Sequence, residues 1–129
     1  MRLLTLAQYD QLIKNGSEPY QGDDHIPVVK LTMPNCTWLL TEIDSENPNI
    51  GYGLYMPDDH FSRLAHIDLE EAMNTANCMY ITVEYFKGNF PVSVYQDAEW
   101  FYGKLIEDET FLRKFAIEPD GKPAQLKLF

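Results

Sequence analysis

Three strand-length apolar runs follow one another between Pro27 and Met56: "PVVKLTM", "TWLLTEI" and "IGYGLYM", separated only by "PNC" and "DSENPN". Both spacers are rich in proline, asparagine and small or acidic residues, the chemistry of turns. Strands joined by so few residues pair as antiparallel hairpins. This stretch commits the chain to a β-meander on which every other element must pack. In the third run, alternation puts Ile50, Tyr52, Leu54 and Met56 on one face, and Gly51, Gly53 and Tyr55 on the other. Two glycines on one strand face imply close approach by another element, or a bulge.

The flanking segments read as helices and further strands. Thr5 with Gln8 forms a capping box ahead of a helix over 6–15, whose stripe is Leu6, Tyr9, Leu12 and Ile13. Asn15-Gly16 ends it, with Gly16 free to turn left-handed. "SEPYQGDDHIP" is a loop, "RLAHI" a fourth strand, and Asp68 caps "LEEAMNTAN" with Glu71 at the capping-box position. "CMYITVEYF" is a fifth strand, rich in β-formers. Ser93 with Gln96 opens "VYQDAEWFYGKLI", with Val94, Ala98, Phe101 and Leu105 at helical spacing. Asp108 caps "ETFLRKF", which buries Phe111, Leu112 and Phe115, and "AQLKLF" alternates like an edge strand. The expectation is a single α+β domain over 1–129. Its mainly antiparallel sheet has about five strands, with an N-terminal helix and C-terminal helices packed on it.

Charge narrows the function classes. The chain has 20 acids against 10 bases and a net charge of −10. Direct binding of nucleic acid or of an anionic membrane relies on cationic contacts, so neither is expected. Leu31–Phe86 holds nine of the acids and a single base, Arg63. Cys36 and Cys78 lie far apart with no CxxC, and "MRLLTLAQYDQ" turns polar too soon for a signal peptide. No run has the roughly 18 apolar residues of a membrane span. A reduced, cytoplasmic protein with two buried thiols is the simplest reading, and a disulfide would require the fold to bring the pair together.

"RLLT…QL…NG", followed by "PVVKL…P…TWLLTEID.E.P.I.YGL", resembles a family of small bacterial proteins known as a domain of unknown function, numbered 2958. The likeness covers roughly Leu3 to Tyr95 and is densest over Pro27–Leu54. After Leu54 the chain departs from the family pattern, keeping only the "IDLEEA" strand-to-helix step, and residues 93–129 read as a C-terminal helical addition. The resemblance implies an α+β fold and a setting on conjugative plasmids and integrative elements. It implies no activity and no catalytic residues.

Three groups of side chains could carry chemistry. Glu42, Asp44 and Glu46 follow the second strand, where Glu42 and Asp44 would neighbour each other beside Trp38 and Leu40. Close carboxylates invite a cation or a raised pKa, whereas a strand ending near Ile43 leaves Asp44 and Glu46 solvating a turn. Asp58, Asp59 and His60 offer two carboxylates and an imidazole to manganese, iron or zinc, although consecutive residues seldom all face one ion. Asp23, Asp24 and His25 repeat that pattern. His66 sits on an apolar strand and reads as a hydrogen-bonded interior histidine. Neither cysteine has the surroundings of a nucleophile. Trp100 or Tyr95 could leave an aromatic ring exposed for an interface.

No phosphate-binding loop, GxGxxG, HExxH or GxSxG occurs, and no cofactor is expected. The favoured reading is an acidic protein-interaction module of a mobile element rather than an enzyme. Its face would be Glu42, Asp44, Glu46, Asp58, Asp59, Glu70 and Glu71, turned toward a basic protein partner, with imitation of DNA charge as the sharper form of the reading. The alternative is a divalent-metal hydrolase or phosphodiesterase using Asp58, Asp59 and His60. The plainest reading is charge that serves solubility alone.

Overall fold

The computed structural model describes residues 4–58, 61–74, 81–86 and 88–116. The elements run α1 (Leu6–Asn15), β1 (Val29–Met33), β2 (Cys36–Ile43), β3 (Ile50–Pro57), β4 (Arg63–Asp68), α2 (Leu69–Asn74), β5 (Thr82–Tyr85), α3 (Val92–Tyr102) and α4 (Glu109–Leu112), with a 3₁₀ turn at Arg113–Phe115. The strands form one antiparallel sheet in the order β4-β3-β2-β1-β5. The meander is therefore real, and β5 joins its far side against β1. The end of "CMYITVEYF" forms β5, while Cys78 and the "AQLKLF" segment lie outside the described residues.

Alternation along β2 divides the core between the two faces of the sheet. Trp38, Leu40 and Ile43 join Leu31, Val29 and Leu12 of α1. Leu39 turns the other way, joining Leu54, Met56, Val94, Tyr95, Ala98 and Leu112 under α3 and α4. Each fully buried leucine here contributes roughly 2 kcal/mol through apolar burial. Tyr95 is thus a core ring, packed edge-on to Phe86 at 5.1 Å, and does not reach a surface. Trp100 is the exposed one, and Phe111 is partly exposed where burial was expected.

α1 has the expected bounds and capping box: Gln8 N–H donates to Thr5 Oγ1 at 3.2 Å, and Thr5 N–H to Gln8 Oε1 at 2.9 Å. Gly16 plays a different part from the one expected. Its φ is −86°, an ordinary conformation, but a Cβ there would lie 1.9 Å from the Ile43 carbonyl oxygen. Close approach of α1 to β2 requires the glycine, rather than a left-handed turn. Gly53 answers the bulge expectation. Pairing slips between Leu40 and Glu42 opposite it, and a Cβ on Gly53 would lie 2.1 Å from Leu39 O.

α3 starts earlier and ends earlier than its apolar spacing implies. Ser93 makes no capping box with Gln96. Ser93 N–H donates 3.0 Å to Asp24 Oδ1, and its hydroxyl donates to Asp24 Oδ2. Val92 N–H donates 2.9 Å to His25 O. The loop before β1 thus caps a helix that begins nearly seventy residues later. α3 stops where Gly103 turns left-handed at φ 77°, so Leu105 packs on the core from beyond the helix. Asp108 caps α4 as expected, accepting from Thr110 N–H at 2.8 Å.

Candidate functional site

The acidic residues gather at one end of the sheet because a single asparagine ties two segments together. Asp44 Oδ1 accepts Glu46 N–H at 2.9 Å and Asn47 N–H at 3.4 Å, which shapes the β2–β3 turn. Asn49, at the end of that turn, reaches α2. Its Oδ1 accepts Glu70 N–H and its backbone oxygen accepts Leu69 N–H, both at 2.8 Å. Its Nδ2 donates 2.8 Å to Asp68 Oδ1, which also accepts Glu71 N–H at 2.8 Å. These bonds to Asp68 hold its carboxyl below the usual range. The consequence is positional: Asp44, Glu46, Glu70 and Glu71 share one end, and all but Asp44 are exposed. Among the described residues none of the four has an ion-pair partner. Arg63 is remote from them, lying over the Tyr55 ring at the other end of β4.

Glu42 is not part of that surface. The slip at Thr41 reverses the alternation, so Glu42 pairs with Tyr52 and leaves the face of Trp38 and Leu40. It is 4% exposed. Gly22 N–H donates to Glu42 Oε2 at 3.1 Å, and His25 Nε2 lies 3.6 Å from the same oxygen. His25 Nε2 is also 2.8 Å from Tyr20 O and 3.2 Å from Asn15 O. Three oxygen acceptors around one ring nitrogen place its proton there. Burial pushes the Glu42 carboxyl up; the Gly22 N–H and His25 oppose that rise, and Asp23 adds to it. Tyr52 is raised by burial and by Glu42. Glu42 thus anchors the Gly16–Val28 loop to the sheet, and through Asp24 that loop reaches α3.

The remaining candidates separate. Asp58 lies at the opposite end of the hairpin, its N–H donating 3.1 Å to Asn35 O. Asp59 and His60 lie outside the described residues. Among the described residues no three His, Cys, Asp or Glu side chains are grouped to hold a metal ion, so the hydrolase reading gains no support there. His66 is exposed on edge strand β4 with its ring 4.8 Å from Tyr52, and is not an interior histidine. Asp97 is raised by burial and by Asp24 nearby. Cys36 is half-buried with a free thiol that burial pushes up. Among the described residues no helix is long and apolar enough to cross a membrane.

Sequence reasoning missed Asn49 and His25 as structural ties. Asn49 carried one available signal, a turn asparagine followed by a strand, but its partner in α2 lies across the fold.

The strand order, the bulge opposite Gly53 and the Asp68 entry to α2 all fall within residues matched by one family. Residues 3–106 match the family described as Protein of unknown function (DUF2958). The chain belongs to this family. The DUF2958 match runs past Tyr95 and takes in the whole of α3. No curated protein and no solved structure shows a significant match to the chain.

Proposed function

We propose that this DUF2958 chain is a protein-interaction module that presents a carboxylate-rich end of its sheet to a basic partner. The observation that carries the reading is the Asn49–Asp68 tie, which holds Asp44 and Glu46 beside Glu70 and Glu71 with no paired base among the described residues. Fixed like charges cost stability by mutual repulsion, and a solubility role alone would not require them to be stapled together. Fixed carboxylates at a protein end raise the local concentration of a cationic partner and speed its encounter. Imitation of DNA phosphates toward a DNA-binding protein is the sharper form of this reading, and a mobile-element setting would supply such partners.

The test is capture of partners from the native host at low salt, followed by titration with salt. Binding should weaken steeply as salt rises through the range where the screening length falls below about 10 Å. Partners that stay bound equally well at high salt contradict an electrostatic end.

A further inference from the structure

We propose that the open edge of β4 takes one added strand from the basic partner, an extended protein segment that also lays a lysine or arginine into the groove between β4, α2 and the β1–β2 turn. The inference rests on the acidic-end reading above and gives that end a binding mode. β4 stands last in the sheet and pairs with β3 alone. The pairing runs without a slip from Ile50↔Asp68 to Tyr55↔Arg63. Among the described residues no backbone group of β4 is bonded on its outer side. Alternate residues of such an edge direct N–H and C=O groups outward, where a further strand can pair with them. Proteins that leave an edge open blunt it with lysine, proline, a bulge or a short length. The interior of β4, Leu64 to Ile67, has no lysine, proline or bulge, and Leu64 and His66 are exposed along it. The strand at the other edge, β5, is shorter, with four residues.

Charge selects the occupant of this edge. β4 ends at Asp68, and the exposed Glu70 and Glu71 follow directly. Beside its second half lies a groove of about 500 Å³. Met33, Pro34, Ile67 and Ile81 give it apolar walls, and Asp68 and Glu71 supply carboxylates. No described lining residue is a lysine or arginine, and Glu71 has no ion-pair partner among the described residues. Apolar walls with carboxylates beside them match a long cationic side chain, whose stem is apolar and whose head is charged. An acidic strand on the same edge would meet repulsion at Asp68, Glu70 and Glu71, and a neutral one would leave them uncompensated. Backbone pairing thus supplies affinity that does not depend on charge, and the acids decide which strand is accepted.

The experiment is NMR titration of the full chain with a peptide of about eight residues that alternates arginine with valine. Two control peptides of the same charge are methylated, one on the backbone nitrogens of its arginines and the other on those of its valines. Alternate residues of an added strand face β4, so one methylated peptide should bind about tenfold more weakly than the parent peptide and the other nearly as well. The parent peptide should slow hydrogen exchange at alternate amides of β4, and Glu71→Gln should weaken it about threefold at low salt. Equal binding of all three peptides, still weakened by salt, would overturn strand addition and leave the acidic end standing. Binding that protects β4 but ignores both salt and Glu71→Gln would overturn the acidic end as the selector, and the proposed function with it. No saturable binding of the parent peptide, or exchange that slows elsewhere and not in β4, would also overturn the proposal.

Discussion

At the scale of single residues, Glu42 is the informative case. Burial raises its carboxyl, so the folded protein binds a proton more readily there than the unfolded chain does. Its contribution to stability is full below the ordinary glutamate value of about 4.3 and is lost as pH rises through the folded value. Glu42→Gln keeps an acceptor for Gly22 N–H and removes the charge. Urea melts should show the variant at least as stable as the parent at neutral pH. The difference between the two should shrink or reverse below about pH 4. A second residue-scale prediction concerns Gly16. Alanine there would meet Ile43 O, part of a paired strand that cannot yield cheaply. Gly16→Ala should cost about 3 kcal/mol in the same assay, at the upper end of overpacking costs.

Among elements, the long-range cap of α3 makes the sharpest prediction. Asp24→Ala should lower stability by about 1 kcal/mol, the usual loss for a helix cap, although it lies far from α3 in sequence. Ser93→Ala should cost less, since the backbone N–H that Asp24 caps remains. The elements that depend on local chemistry were legible in the sequence. The Thr5–Gln8 box, the Asp68 and Asp108 caps and the meander each rest on residues within a few positions of one another. What depends on tertiary partners was not. The Thr41 slip turns Glu42 away from Trp38, and a strict period of two cannot reveal it, although Gly53 hinted that a bulge existed. Ser93 and Gln96 have capping-box spacing, yet a carboxylate from the loop before β1 takes that role. Gly103 sits inside an apolar pattern that continues to Leu105, so the spacing hides the left-handed turn at which the helix stops. For the acidic end, the sequence supplied the charges and separated the turn from the Asp58 loop. It could not supply Asn49, which joins that turn to α2.

For the molecule as a whole, where the charge sits is a separate question from how much there is. A chain of −10 attracts cations from every side, so binding of a basic partner alone proves little. Two triple variants separate the cases. Glu46→Gln with Glu70→Gln and Glu71→Gln removes three charges from the tied end. Asp10→Asn with Glu18→Gln and Glu84→Gln removes three exposed charges elsewhere. The most direct measurement is the affinity of both triples, beside the parent chain, for one captured basic partner at low salt. Loss of about tenfold in the first triple and little change in the second is the predicted result. Equal losses in the two would contradict a localised face and leave only net charge.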